Sequence, residues 1–410
     1  MENASNEFLT PRPLDVYSDD AISHFYFLED YFGTDELEHR LEQVNRAIQV
    51  ECGVYRRLWL LPNSQFWLGI QEARKQIRKR TFPNIIPPQF ERPIEIAAKL
   101  GILRKSMSSR VWCDFRKSIL GSDYLSPIFF EIDTAANFWQ KGYDIEWCEP
   151  SKEKNSQIPE FVIISGNRRI EIECKLKKAD TGRKIIRSSF YRLVDKVAKP
   201  LSDKRYTGKV KIVVPNQMPI NIEWQNRVSS SVDKLLASVD SRMCLEDGTE
   251  ITLDVHELGD LVVPAEKIIA EAQMTKYPYS YLAVFAKEYG KVLINPLVFE
   301  LRSQVDDSFL YKVFKELKKA NRQFTGKNAA LICCFVPEID SFAGLEQDSA
   351  LFRMTATFFD KHARQNVFAV VYSSAAIRTI TSIDVTKSSP AIKIDNPNYD
   401  ERFGPRIDVF

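Results

Sequence analysis

The stretch Glu160–Lys175 reads EFVIISGNRRIEIECK and directly follows Pro159. Two apolar runs flank the turn signal SGNR at 165–168, which predicts a β-hairpin. The second strand alternates strictly between polar and apolar residues over 170–176. Because successive side chains on a strand point to opposite faces, one face carries Glu171, Glu173 and Lys175, and the other carries Ile170, Ile172, Cys174 and Leu176. One face therefore suits a hydrophobic core, and the other aligns carboxylates with an ammonium group.

This polar face predicts a divalent metal site when Glu160 is brought across from the first strand. Carboxylate oxygens are the ligands that hard divalent cations prefer, and a bound cation activates water. Cross-strand charge pairing on an exposed strand is the alternative, and it needs no chemistry. The runs 161–164 and 170–176 are apolar enough for central strands, where carboxylates are costly to bury unless a cation compensates them.

Composition excludes several classes of protein. The 410 residues predict two or three domains. The net charge of +2 means that any nucleic-acid affinity must come from local patches. The stretch 1–17 resembles no signal peptide, and no apolar run approaches the roughly 18–20 residues of a membrane helix, so we expect a cytoplasmic protein without membrane partners. Cysteines lack zinc-site or C-x-x-C spacing, which favours free thiols.

The periodicity of the chain predicts an α/β protein in three parts. A mainly helical N-terminal region covers 1–122, with helical patterns at 18–49, 65–80, 91–103 and 110–120. A core covers 123–216, with a helix at 127–140, a strand at 143–148, the hairpin, a helix at 185–200 and a strand at 209–214. A C-terminal α/β domain covers 217–410, with helices at 223–239, 308–324 and 345–362, strands at 281–285, 291–301, 329–336 and 367–372, and an irregular tail after Ser389. Strands separated by helices favour a parallel or mixed sheet.

The chain becomes strongly basic after Lys175, and this favours contact with phosphates. A basic element supplies sequence-independent affinity for nucleic acid that falls with salt. The best candidates for phosphate contacts are Arg183, Lys184, Arg187, Arg192 and Lys196. The lysine-rich helix at 308–324 could extend the same surface. A solvated outer helix face is the alternative for both helices.

The core order of helix, three strands, helix and strand, with PEF at 159–161 and ECK at 173–175, resembles the PD-(D/E)xK nuclease superfamily. The resemblance is limited to the core and implies a restriction-endonuclease-like fold. It also implies that Glu160 and Glu173 are the two acids of the motif and Lys175 its lysine, with Glu131 as the additional acid of the preceding helix. In such sites the acids coordinate Mg²⁺ or Mn²⁺, and the lysine orients the attacking water. The first acid is usually Asp, and Glu160 is one methylene longer.

Three functional hypotheses follow. The first is a Mg²⁺-dependent nuclease, a phosphodiester hydrolase acting on nucleic acid with DNA favoured, whose family implies a role in defence against foreign DNA. The second is a nucleic-acid-binding or scaffold protein with a degenerate nuclease site, and the third is a structural module with surface charge. The four histidines stand apart and no G-x-x-x-x-G-K-[ST] loop occurs, so histidine triads and nucleotide-driven motors lack support. Strandedness, endonuclease or exonuclease action and assembly with a second copy or partner chain are left open.

Overall fold

A computed structural model describes residues 12, 21–51, 53–83, 85–149, 158–176, 180, 182–257, 262–264, 280–289, 292–336, 350–373 and 391–407. Contacts group the chain into two compact units. Unit 1 comprises what is described of 1–43, 64–179 and 310–410, and unit 2 comprises what is described of 44–63 and 180–309. The fold is mixed α/β, as predicted, whereas the three-part division stays a prediction.

Helices and strands are numbered in chain order. The helices are α1 (Ala21–Phe32), α2 (Thr34–Val50), α3 (Gly53–Tyr55), α4 (Leu61–Arg78), α5 (Pro88–Leu103), α6 (Ser109–Gly121), α7 (Ser126–Gln140), α8 (Arg187–Asp203), α9 (Ile222–Leu236), α10 (Phe309–Gln323) and α11 (Ala350–Lys361). The strands are β1 (Asp144–Trp147), β2 (Phe161–Ser165), β3 (Arg168–Leu176), β4 (Tyr206–Val214), β5 (Arg242–Cys244), β6 (Glu250–Glu257), β7 (Val262–Pro264), β8 (Ser280–Tyr289), β9 (Val292–Ser303), β10 (Ala329–Phe335), β11 (Val367–Ser373) and β12 (Ala391–Asp395).

The N-terminal part of unit 1 is helical, which confirms the sequence prediction. The single pattern at 18–49 is divided into α1 and α2 by Gly33, whose φ of +77° is readily adopted only by glycine. Ser108 caps α6, because its side chain accepts a hydrogen bond from the Val111 N–H. Helix α5 packs against α1 and α7, and Phe90 meets Phe25 edge to face with the ring centres 5.6 Å apart.

Unit 1 contains a mixed sheet with the strand order β1-β2-β3-β10-β11-β12. The predicted hairpin is β2 and β3, which pair antiparallel with Ser165 opposite Arg168. Gly166, at φ +55°, begins the two-residue loop between them, as tight hairpins favour. Strand β10 runs parallel to β3 on its other side, and β11 runs parallel to β10. Strand β3 is therefore central, and α7 packs against it.

The last strand of the predicted core lies in a different sheet from the hairpin. The sequence assigns 209–214 to the same core as the hairpin, but this segment belongs to β4, which pairs with β6 and β9 in unit 2. The strand that runs parallel to β3 is β10, whose Ile332 lies opposite Glu173. Both segments follow a helix and both are apolar strands, so local pattern does not distinguish them. The 180–309 segment of unit 2 is consequently an insertion between β3 and α10 in the order of unit 1, and residues 44–63 form the other segment of unit 2.

Unit 2 is built on a second mixed sheet with the order β5-β6-β4-β9-β7, and β8 also pairs with β9. Helices α8 and α9 cover it with fully buried side chains that include Leu193, Val197 and Trp224. Asn221 caps α9 by accepting a hydrogen bond from the Trp224 N–H at 2.7 Å. The parallel pairing of β4 with β9 agrees with the predicted mixed sheet.

Two further details depart from the sequence predictions. Residues 391–395, expected in an irregular tail, form β12 and pair antiparallel with β11. Strands β5, β6 and β7 are absent from the sequence predictions. Strands β5 and β7 are only three residues long, whereas β6 alternates between polar and apolar residues over 250–256, a signal that the sequence predictions missed. Within the described residues, no helix combines the length and apolarity that a membrane span requires.

Candidate active site

The acidic face of β3 is buried. Glu171 is 1% and Glu173 0% exposed, because β2 and β10 flank the strand and α7 packs on it. The alternative of charge pairing on an exposed strand face is therefore wrong for these residues. A buried carboxylate is stable only with hydrogen-bond donors or positive charge around it, so the partners of each acid decide its role.

Glu171 is fully satisfied by the turn that connects α10 to β10. One carboxylate oxygen accepts from the Thr325 N–H at 2.8 Å. The other accepts from the Thr325 hydroxyl and, at 3.0 Å, from the Asn328 side-chain amide. Three donors occupy most of the roughly four acceptor sites of an ionised carboxylate, and both oxygens are engaged. Glu171 therefore has a structural role, which is to fix this turn against β3.

Glu173 lies on the same face two residues later and is only half satisfied. Its Oε1 accepts a hydrogen bond from the Lys175 ammonium group. Its Oε2 is buried and has no hydrogen-bond partner among the residues that the structure describes. Burial raises the pKa of Glu173 to about 8, although Lys175 opposes this shift. One buried oxygen of this acid thus lacks the positive charge or donor that it needs.

Glu131 and Glu160 belong to the same cluster. Glu160 is fixed between β1 and β3, since its N–H donates to the Ile172 carbonyl and its carbonyl accepts from the Cys148 N–H, both at 3.1 Å. Burial and the carboxylates of Glu160 and Glu173 raise the pKa of Glu131 to about 8. Burial also raises the pKa of Glu160, against the attraction of Lys175. The charges of Glu131, Glu160, Glu173 and Lys175 therefore act on one another, and their role as a joint site stays a prediction.

Asp133 provides a contrast on the same helix as Glu131. It accepts from Arg92 and Lys99 on α5, each at 2.8 Å. Burial alone would raise its pKa, but the two cations outweigh burial and lower it. A half-buried acid with a structural role in this unit thus has basic partners of its own. Among the described residues, the cation that lowers the pKa of Glu131 is Lys175, which also acts on Glu160 and Glu173.

Lys175 remains protonated in this environment. Burial lowers its pKa. The attraction of Glu173 raises the pKa, with smaller contributions from Glu160 and Glu316, and together these exceed the effect of burial, so the net shift is upward. Glu316 belongs to α10, and sequence reasoning missed it. Since α10 follows unit 2 in the chain, no local motif connects it to β3.

The predicted phosphate contacts belong to unit 2 and are largely engaged there. Arg183 bonds Asp307 at 3.1 Å and Arg187 bonds Asp180 at 3.1 Å, with their side chains 20% and 15% exposed. Arg192 bonds Glu51 at 3.0 Å but is 52% exposed. The Lys196 ammonium bonds the Asn226 side chain, and the Lys184 side chain is half-buried. Arg183 and Arg187 thus serve the packing of unit 2, while Arg192 keeps an accessible charge.

The carboxylate oxygens of Glu131, Glu160 and Glu173 are of the kind that binds a divalent cation. In the described part of the chain, no three His, Cys, Asp or Glu side chains already converge as metal ligands. The unpartnered Oε2 of Glu173 and the raised pKa values of the three acids nevertheless mark a shortage of positive charge. A cation held by carboxylate oxygens supplies that charge.

Comparison with known proteins gives no match for this chain, whether against family models, curated proteins or solved structures.

Proposed function

We propose that the chain is a metal-dependent nuclease that hydrolyses phosphodiester bonds in nucleic acid, with DNA as the favoured substrate. The observation that carries the proposal is the half-satisfied Glu173, fully buried beside Lys175 with one oxygen that has no partner. Burying such a group costs stability, and a protein tolerates the cost where chemistry requires it. A metal-assisted hydrolase requires this kind of site.

The residues take the following roles. Glu160 and Glu173 hold Mg²⁺ or Mn²⁺, and Glu131 assists directly or through water. The cation, when bound, supplies an acidified water and neutralises charge on the phosphate. Lys175, whose pKa is raised above its usual value, is an ammonium group at neutral pH. It therefore donates to the phosphate or the attacking water and offsets developing negative charge, rather than acting as a general base.

The order of elements in unit 1 supports a restriction-endonuclease-like core. Helix α7, strands β1 to β3, helix α10 and strand β10 follow one another as helix, three strands, helix and strand, with the 180–309 segment of unit 2 inserted after β3. This is the order that the PD-(D/E)xK resemblance implies. A role in defence against foreign DNA rests on that resemblance alone.

A second candidate is a nucleic-acid-binding protein with a degenerate nuclease site. Two observations favour it. The acids of the described residues do not converge as metal ligands, and the first acid of the motif is Glu160 instead of Asp. This candidate retains salt-dependent binding and lacks metal-dependent cleavage.

Cleavage of labelled duplex and single-stranded DNA and RNA in Mg²⁺ or Mn²⁺ tests the proposal. We expect products that EDTA abolishes and that Glu173→Gln and Lys175→Gln reduce by at least about 100-fold, as for other groups that act only in the transition state. Glu146→Gln on β1 is the matched control, since its side chain is 52% exposed and lies outside the cluster. Equal cleavage by all four proteins refutes the assignment of the site. Binding without cleavage by the wild type selects the second candidate.

A further inference from the structure

Helix α10 carries an exposed basic and aromatic face that the acid cluster does not use. The helix contains five basic residues against one acid. Its buried side consists of Val313, Leu317, Ala320 and Phe324. The opposite side exposes the residues at helical spacing that we call the α10 basic face, which are Tyr311, Lys315, Lys319 and Arg322. A face of this kind has no role in the core of unit 1.

The aromatic member of this face is accessible to a ligand. Tyr311 is 57% exposed and lies among basic side chains. The Lys315 ammonium lies 4.5 Å from the ring centre and steadies the ring by a cation–π contact. An exposed ring among cations can stack on an unpaired nucleobase, whose phosphates the cations then neutralise.

The positive charge extends beyond the α10 basic face to the end of α11. His362 packs edge to face on Phe314 of α10 at 5.4 Å. Besides slight burial, Lys318 of α10 and Lys361 of α11 lower the pKa of His362, which places both ammonium groups close to it. Cations from two helices thus share one region of the surface of unit 1.

Helix α10 also lies beside the acid cluster within unit 1. Thr325, just past its end, and Asn328 bond Glu171 of β3. Glu316, in the middle of the helix, acts on Lys175. The α10 basic face is roughly 16 Å long, since eleven helical steps of about 1.5 Å separate Tyr311 from Arg322, and this length accommodates a few nucleotides.

We propose that the α10 basic face binds single-stranded nucleic acid, with Tyr311 stacking on a base and Lys315, Lys319 and Arg322 contacting the phosphates. This inference rests on the proposed function and names its substrate class. The charge of the face is complementary to a phosphodiester chain, and the stacking residue selects strands with unpaired bases. A duplex, with its bases already stacked, gains only the charge contacts.

Fluorescence anisotropy in EDTA tests the inference apart from cleavage. The probe is a labelled oligothymidylate of about 20 nucleotides, compared with a duplex of equal length. We expect Lys315→Gln/Arg322→Gln to weaken single-strand binding roughly tenfold and to reduce the slope of log affinity against log salt by about 1.4, since each lost phosphate contact contributes about 0.7. The matched control is Lys105→Gln/Lys117→Gln, which removes the same charge from exposed positions elsewhere in unit 1.

Variants of Tyr311 distinguish the contribution of base stacking from that of charge. Tyr311→Ala should weaken single-strand binding roughly tenfold and leave duplex binding unchanged, whereas Tyr311→Phe should retain both. Equal affinity of the α10 double variant and its control overturns the inference, as does the absence of binding to any nucleic acid. If Tyr311→Ala affects neither probe, the preference for single strands is wrong. If the α10 variants bind normally and the protein cleaves nucleic acid, the inference about α10 fails and the proposed nuclease function stands. If the α10 face binds single strands but the protein does not cleave them, the inference stands and the proposed nuclease function fails.

Discussion

Glu173→Gln should stabilise unit 1 when no metal is bound, and the gain should grow with pH. The pKa of Glu173 rises from 4.5 to about 8 on folding, chiefly through burial. Between these values the folded chain holds a proton that the unfolded chain has lost. The stability that this group contributes is therefore complete below about pH 4.5 and is lost as the pH rises towards 8.

The magnitude follows from the same shift. Each pH unit inside the window costs about 1.4 kcal/mol, so the wild type has lost roughly 3 kcal/mol at about pH 7. Glutamine has nearly the same shape and carries no charge at any pH, so the variant avoids this loss. For a unit of this size the difference corresponds to roughly 6–12 °C in Tm. The shifts of Glu131 and Glu173 belong to one coupled cluster, so their effects do not add.

Differential scanning calorimetry in EDTA, at about pH 5.5 and about pH 8, provides the measurement. Because the chain has two compact units, calorimetry can show two unfolding transitions, and the transition of unit 1 is the one whose Tm the variant changes. Glu171→Gln is the matched control on the same strand face. It places an amide group against donors that need an acceptor, so it should destabilise the unit by about 1–3 kcal/mol at both pH values. An equal gain for Glu173→Gln at both pH values refutes the reasoning.

Three further outcomes follow from the contacts. Mg²⁺ or Mn²⁺ at 100 times its Kd should stabilise the wild type by about 2.7 kcal/mol in calorimetry and should have much less effect on Glu173→Gln. Asp195→Ala should lower the stability of unit 2 by about 1–2 kcal/mol in the same assay, because its carboxylate accepts from two main-chain N–H groups at α3. Arg183→Gln should also lower the stability of unit 2, through its 3.1 Å contact with Asp307, and should leave the salt dependence of nucleic-acid binding unchanged. If Arg183→Gln instead reduces the slope of log affinity for nucleic acid against log salt, Arg183 contacts phosphate as the sequence predicts.

Local sequence determined the hairpin and the identity of the acid cluster. Alternation over β3 and the turn signal before it predict the two strands, and Gly166 occupies the turn with a positive φ. The helix of Glu131 and the position of Glu160 before β2 were also evident from local pattern. These features depend on residues within a few positions of one another, which is the range over which periodicity is informative.

Only the tertiary structure decided which strand completes the sheet beside β3. The segments that form α8 with β4 and α10 with β10 have the same local pattern, and the second is separated from β3 by the 180–309 segment of unit 2. The same long-range packing separates Glu171 from Glu173. Both are glutamates on one face of one strand, but Thr325 and Asn328 satisfy the first and leave an oxygen of the second without a partner. Hydrogen-bond donors from distant parts of a chain are invisible to local pattern, and here they distinguish a structural acid from the residue proposed to hold the metal.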